Sequence, residues 1–144
     1  MQISSRFTIA VHVLICTETF QDDYKITSEF LASSVNVNPV VIRRLLQQLK
    51  KAGIIEVKRG SGGTAICKNL YDVTLLDIYH AVEAVEDGQL FHFHEDPCQQ
   101  CPVGKNIHKI MDGYLEDVQK AMEAKLRSIT VFDIMERANK IIEM

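Results

Sequence analysis

Five residues within the first third of the chain have the spacing required by two short helices joined by a tight turn. Ala32 is small, so a second helix can pack closely against the first at this point. Asn36 tolerates the left-handed backbone conformation of such a turn better than most other residues, and the apolar Val37 can plug the turn. Ile42 and Leu45 then give the second helix a buried face. The spacing therefore predicts a helix-turn-helix.

Helix caps and hydrophobic periodicity predict the elements around this motif. In chain order they are a buried helix at 4–16, helices at 28–34 and 39–51, strands at 54–57 and 64–67, and helices at 75–85, 105–127 and 130–144. The two strands enclose a glycine-rich turn and form a hairpin. Residues 86–104 have no clear period and are predicted to be a loop. The predicted fold is mainly α with a small β-hairpin wing, in which a winged helix-turn-helix domain precedes a long C-terminal helix.

Charge divides the chain into two unlike halves. Residues 1–68 hold nine Lys and Arg against five Asp and Glu, a net charge of +4, whereas residues 69–144 have a net charge of −7. This asymmetry indicates that the first half meets a polyanion. Together with the helix-turn-helix and the hairpin, it makes double-stranded DNA the predicted partner. The alternative is a winged-helix module that binds another protein and never touches DNA.

The second helix of the motif is predicted to lie in the major groove, where its early residues meet base edges. Arg43 or Arg44 can make bidentate hydrogen bonds to guanine, and Gln47 can make them to adenine. Nearby lysines suit phosphates, and an arginine at the hairpin tip suits the minor groove. The predicted DNA-binding residues are Asn38, Val40, Arg43, Arg44, Gln47, Gln48, Lys50, Lys51, Lys58, Arg59, Gly60, Ser61, Gly62 and Gly63.

Three stretches, in their order and spacing, resemble the Rrf-two family of bacterial winged-helix regulators, the IscR/NsrR/CymR-like proteins. They are RRLLQQLKKAGII at 43–55, KRGSGG at 58–63 and VTLLDIYHAVE at 73–83, and the opening residues 3–12 are similar too. The resemblance covers most of residues 1–104. It implies a homodimer, paired through the long C-terminal helix, that binds a palindromic operator. We expect such a protein to act as a repressor.

The predicted helix at 105–127 is apolar at steps of three and four over about three heptads, a pattern typical of coiled coils. A partner subunit is the simplest cover for so long a stripe, which makes this the dimerisation helix. The rival is an intramolecular helical hairpin with residues 130–144. The predicted dimer-interface residues are Ile107, Met111, Tyr114, Leu115, Val118, Met122 and Leu126.

Three interpretations of the pair Cys98 and Cys101, spaced as CxxC, stay open. The first is a thiol redox switch, because this spacing lowers a thiol pKa and permits a disulfide. The second is a zinc site that adds His92 and His94 to the two cysteines, although the spacing is more compressed than in common zinc modules. The third is that the thiols are structural or idle.

An iron–sulfur cluster is not expected in this loop. Members of the resembled family that bind a cluster carry three widely spaced cysteines here, whereas this chain has two. Two cysteines supply half of the four ligands that clusters usually take, although a dimer can supply more. The chain is thus divided into a winged helix-turn-helix DNA-binding domain at 1–86, a sensor loop at 87–104 and a helical dimerisation region at 105–144.

No enzymatic activity is predicted. The sequence shows no Ser/His/Asp order or paired-carboxylate loop, and its CxxC does not open a helix after a βα unit as in thioredoxin-like enzymes. The apolar run near the N-terminus contains Thr8 and His12 and reads as a buried helix rather than a signal peptide. No stretch approaches the roughly 20 apolar residues of a membrane span. We expect a cytoplasmic protein without a membrane partner.

Overall fold

Six α-helices and one antiparallel hairpin make up the part of the chain that the computed structural model describes, residues 3–58 and 63–143. The elements are α1 (Arg6–Phe20), α2 (Ser28–Val35), α3 (Pro39–Lys51), β1 (Ile55–Lys58), β2 (Gly63–Ile66), α4 (Leu75–Ala81), α5 (Pro102–Arg127) and α6 (Val131–Ile142). Two 3₁₀ turns, Leu70–Asp72 and Glu86–Gly88, stand on either side of α4. The mainly helical fold with a small hairpin is confirmed.

Local capping fixes the helix-turn-helix formed by α2 and α3. The Thr27 hydroxyl accepts a hydrogen bond from the Phe30 amide at 3.0 Å and starts α2. Asn36 ends α2 with φ 66° and ψ 49°, the left-handed conformation that the turn requires. The side chain of Asn38 accepts from the Val40 amide at 2.9 Å, with a proline as the first residue of α3. The left-handed turn predicted at Asn36 is confirmed, and Thr27 and Asn38 are of residue types that commonly cap helices.

Both strands of the hairpin stand one residue away from their predicted bounds, toward the turn that joins them. Lys58 pairs with Gly63 at the open end, and Ile55 pairs with Ile66 at the other end. The Thr64 amide donates to the Ile26 carbonyl at 2.9 Å, so the segment before α2 borders β2 through an isolated parallel bridge between Ile26 and Gly63. The predicted tip residues, Arg59, Gly60, Ser61 and Gly62, lie outside the described residues.

Two constraints at the bridge to Ile26 require a glycine at position 63. Its φ is +69°, and a Cβ placed on it would lie 2.7 Å from the carbonyl oxygen of Ile26. We expect Gly63→Ala to lower the free energy of unfolding by about 3 kcal/mol, because left-handed strain and a backbone clash add. Gly53 has φ +78° with nothing within 4 Å of its Cβ position, so it is a matched control for the strain. Gly53→Ala should cost about 1 kcal/mol. If urea unfolding shows the same decrease in the free energy of unfolding for both variants, the clash with Ile26 does not contribute to the effect of Gly63→Ala.

Three helix boundaries differ from the prediction by three residues or more. Helix α1 continues to Phe20 because Thr17 is buried and its hydroxyl donates to the Val13 carbonyl at 2.8 Å, which satisfies a polar residue that looked like a helix end. Helix α4 ends at Ala81. The chain turns at Glu83, whose φ is 51°. Helix α5 begins at Pro102, inside the predicted loop, because proline suits the first helical position.

One core joins α1 to α4, the hairpin and the start of α6. Its largest fully buried side chains are Leu14, Ile26, Leu31, Ile42, Leu45, Leu49, Ile54, Ile55 and Ile78. Helix α6 is held to the first part of the chain by backbone bonds, from the Val131 amide to the Val73 carbonyl at 2.8 Å and from the Leu75 amide to the Ile129 carbonyl at 2.9 Å. Val131 and Met135 are buried in this core. Helix α6 therefore packs on α1 and the turn Leu70–Asp72, and not against α5 as the rival interpretation of a helical hairpin required. None of the described helices combines the length and apolarity needed to cross a membrane.

Candidate nucleic-acid interface

Helix α3 presents a polar and basic face to solvent. It buries Ile42, Leu45, Leu46 and Leu49 against the core, and the residues between them are left outside. The predicted DNA-binding residues that are exposed on or beside α3 are Asn38, Val40, Arg43, Arg44, Gln47, Lys50 and Lys51, and Lys58 is exposed on β1. The structure therefore brings most of the predicted residues to one surface, which we call the α3 face.

Two predicted residues have other surroundings. The side-chain oxygen of Gln48 is buried and has no hydrogen-bond partner among the described residues, so this end of the amide points inward. Gly63 packs against the backbone of Ile26 and is accounted for by that contact. Val41 and Val57 were not among the predicted residues, yet both are exposed on the same elements. An exposed apolar side chain on an otherwise polar surface indicates a residue that can contact DNA, because apolar atoms contact the methyl groups of thymine.

Arg43 is held by an acidic residue that the sequence did not single out. Its guanidinium Nη2 lies 2.9 Å from the Oε1 of Glu29, which is in the first turn of α2. The backbone N–H of Glu29 itself, and then the Arg43 guanidinium, hold the pKa of this carboxyl below its ordinary value. An ionised carboxylate from α2 therefore stands beside the α3 face. Arg44, Lys50, Lys51 and Lys58 form no ion pair with any described residue.

Cys101 is the N-cap residue of α5, with its thiol at the start of the helix. The backbone N–H groups of Gly104 and Val103 lower the pKa of this thiol, as expected where helix amides favour a negative charge. A Cβ on Gly104 would lie 2.4 Å from the Cys98 carbonyl oxygen, so a glycine lets the CxxC loop fold directly onto the helix. Both thiols are exposed and free.

The histidines of the same loop are not gathered with the cysteines. Throughout residues 3–58 and 63–143, no three His, Cys, Asp or Glu side chains lie close enough together to hold a metal ion. Phe93, between His92 and His94, packs its ring 4.0 Å from that of His108 on α5. The structure therefore does not assemble the predicted zinc set of His92, His94, Cys98 and Cys101.

Helix α5 has one apolar stripe that the chain covers and one that it leaves open. Met122 and Leu126 pack against the core, and Ile107, Met111 and Leu115 are half-buried. The side-chain amide of Gln119 clamps the incoming loop, accepting from the Leu90 amide at 3.1 Å and donating to the Gly88 carbonyl at 2.9 Å. The open stripe, called here the α5 stripe, comprises Val103, Ile110, Tyr114 and Val118, which are 49–70% exposed. Of these, Tyr114 and Val118 were predicted interface residues.

The chain is similar to known transcription regulators over nearly its whole length. Residues 3–137 match the Rrf2 family, described as iron-dependent transcriptional regulators. YwnA of Bacillus subtilis (strain 168), named as an HTH-type transcriptional regulator, is 43% identical over 133 residues, which are 92% of this chain and 96% of YwnA. The relatives are regulators and not enzymes, as the sequence predicts.

Solved structures show the same architecture. One described as a DNA-binding protein has a TM-score of 0.70 and 38% sequence identity, covering 91% of this chain and 99% of its own. T. potens IscR has a TM-score of 0.70 and 20% identity, covering 96% of this chain and 88% of its own. At that identity the second likeness shows the fold alone.

Iron, which the family description names, does not fit the residues of this chain. A metal centre needs several donor side chains around one point, and no such group of three exists among the described residues. Cys98 and Cys101 alone would leave a cluster half ligated.

Proposed function

The chain belongs to the Rrf2 family of DNA-binding transcription regulators, and from that premise we propose that it is a homodimeric repressor of a palindromic operator. The observation that carries the proposal is the α3 face, where Arg44, Lys50 and Lys51 have no acidic partner among the described residues and lie on one helix with exposed valines and a glutamine. A helix of this kind fits the major groove, with its N-terminal residues against base edges. The proposed DNA-binding domain is 1–86.

The residues of the α3 face fall into two groups, those that suit base edges and those that suit phosphates. Arg44 and Gln47 are exposed near the middle of α3, and their planar side chains suit guanine and adenine edges. Lys50 and Lys51 end the helix and Lys58 ends β1, so they suit phosphates, which fix position without reading sequence. The Asn38 side chain is already engaged in capping α3.

The α5 stripe supports the homodimer. Helix α5 has 26 residues and none of them is buried within one chain. Exposed apolar rows of this length mark association surfaces, and steps of seven and four residues keep the row on one side of the helix, where a second helix of the same kind can cover it. A twofold dimer presents two α3 faces, about 34 Å apart when they enter successive major grooves on one side of DNA. That symmetry explains a palindromic operator. Within the chain, 105–144 is the proposed dimerisation region.

Selection from random duplex DNA tests the proposal. The full-length protein should enrich a palindromic site, and fluorescence anisotropy should show tight binding that weakens steeply between 50 and 200 mM salt, because phosphate contacts release counterions. Placing that site over a promoter should reduce transcription in a purified system. Failure to enrich any sequence, or enrichment of a site without twofold symmetry, would contradict the proposal.

We also propose that the sensor loop, 87–104, works as a thiol switch. A peroxide oxidises the Cys101 thiolate to a sulfenic acid and releases hydroxide. The Cys98 thiol then attacks this sulfur, forming a disulfide and releasing water. Because Cys101 is the N-cap of α5 and the loop rests on Gly104, the disulfide alters the first turn of the dimerisation helix. Oxidation should therefore weaken operator binding.

Site-resolved alkylation tests which thiol reacts first. We expect iodoacetamide to label Cys101 faster than Cys98 near neutral pH, because the amides of α5 favour its thiolate. As pH is lowered, labelling of Cys101 should persist to a lower pH than labelling of free cysteine. Cys98→Ser should keep the fast labelling yet form no internal disulfide with peroxide. Equal labelling of the two cysteines, or peroxide-insensitive operator binding by the wild type, would refute the switch and leave the repressor intact.

A further inference from the structure

We infer that Glu29 is a positioning residue that makes Arg43 selective for its base and lowers the affinity of the protein for DNA of unrelated sequence. The inference rests on the proposed operator binding and concerns how that binding discriminates. Glu29 belongs to α2, the first helix of the motif. None of the predicted DNA-binding residues lies on that helix. Its role follows from where its carboxylate lies.

Glu29 is an acidic residue in a basic part of the chain. From residue 25 to residue 58 the chain carries six Lys and Arg, and Glu29 and Glu56 are its two acidic residues. A carboxylate within a basic DNA-binding surface opposes the attraction to phosphates that the rest of the surface provides. Glu56 forms no ion pair with a described residue, whereas Glu29 meets Arg43 at 2.9 Å.

The ion pair is too exposed to be explained by stability. The Glu29 side chain is 67% exposed and that of Arg43 is 54% exposed. Exposed pairs of this kind contribute little to folding, because solvent screens them and two long side chains lose freedom. The consequence of the pair is therefore orientation. It fixes an arginine that would otherwise move freely.

A fixed arginine reads DNA differently from a free one. The guanidinium has five N–H donors in a rigid fork, and the contact with Glu29 goes through Nη2. The remaining donors can make a bidentate contact with guanine, which depends on geometry. An arginine without this partner can swing to the nearest phosphate, which is present in every sequence. Glu29 thereby favours the contact that depends on the base.

The same carboxylate also occupies the start of α2. Helix N-termini attract phosphates through their free backbone N–H groups. Glu29 accepts a hydrogen bond from its own backbone N–H at this end, so a negative side chain stands where a phosphate would be drawn. Repulsion between this charge and the DNA backbone acts on all sequences alike. Operator DNA offsets it through the Arg43 contact, and unrelated DNA does not.

The test compares operator DNA, taken from the random-duplex selection, with a scrambled duplex of equal length. Glu29→Gln should tighten binding to the scrambled duplex roughly fivefold and steepen the salt dependence by about one unit of log K per log salt, as when one more phosphate is contacted. Operator affinity should change less than twofold, so the specificity ratio falls about fivefold. Repeating the selection with Glu29→Gln should flatten base preference at the same position that Arg43→Ala flattens.

Two further variants separate charge from position and from folding. Glu29→Asp keeps the charge on a shorter side chain, so it should restore the repulsion of scrambled DNA and leave the base preference weakened. Glu136→Gln removes the same charge from an exposed ion pair with Lys140 on α6 and should change neither quantity. All variants should unfold at the wild-type temperature.

The outcomes distinguish this inference from the function on which it rests. If the wild type enriches an operator and Glu29→Gln keeps the same specificity ratio and base preference, the role of Glu29 is refuted while the repressor stands. If the wild type enriches no sequence, the proposed function fails and the inference fails with it.

Discussion

Val118→Glu is expected to convert the protein from a dimer to a monomer and to weaken operator binding at least about 100-fold. Val118 is about half exposed in the single chain and lies in the α5 stripe beside Tyr114. A twofold interface places the new carboxylate in each stripe against the other, where burial without a partner is strongly unfavourable. Each monomer then binds one half-site and loses the high effective concentration that linkage provides.

Sedimentation velocity and anisotropy measure the two effects in the same samples. Ala124→Glu is the matched control, since this residue is exposed on α5 and lies about 120° around the helix from Val118 at about 100° per residue. It adds the same charge and should leave the dimer intact. A Val118→Glu protein that remains dimeric would show that the α5 stripe is not the interface, whatever its affinity for DNA.

Arg44→Ala is expected to weaken operator binding by about 10- to 100-fold and to relax base preference at one position in each half-site. Arg44 is exposed near the middle of α3 and has no ion-pair partner among the described residues. A bidentate arginine–guanine contact contributes about 1–3 kcal/mol of discrimination. Loss of a phosphate contact would instead weaken binding to all sequences alike and reduce the salt dependence by about one.

Arg137→Ala is the control for charge, because Arg137 is exposed on α6, away from α3. It removes one positive charge and should change affinity less than twofold. The comparison of operator with scrambled duplex decides the role of Arg44. Equal weakening on both would place Arg44 on the backbone and leave Gln47 as the base reader.

The parts of the fold that sequence predicts well are those fixed by neighbours along the chain. Thr27, Asn36 and Asn38 cap or turn through groups at most four residues away, so their roles follow from residue type and spacing. The capping boxes that begin α4 and α6 are equally local, each formed by a threonine and the aspartate three residues later.

Features that depend on how helices cross were not predictable from spacing. The pairing of Glu29 with Arg43 joins side chains fourteen residues apart and exists because α2 and α3 meet there. Periodicity also merged the two apolar stripes of α5 into one. Met122 and Leu126 are covered by the core, whereas Tyr114 is left exposed. The difference arises from the elements that pack beside the helix, which a repeat of three and four does not encode.

The hydrogen bonds of Gln119 to the backbone of Gly88 and Leu90 join the sensor loop to α5, so a movement of the loop can be transmitted to the helix. The loop is tied to the helix at Gln119, about two-thirds of the way along α5, and leads back to Cys101, where the helix begins. A helix of 26 residues is about 39 Å long, so a tilt of about 5° moves one end by about 3.4 Å. In the proposed dimer that displacement matches the roughly 3.4 Å between successive base pairs. A disulfide between Cys98 and Cys101 that tilts α5 by this amount would therefore displace the two α3 faces of the dimer by about one base-pair step relative to their half-sites.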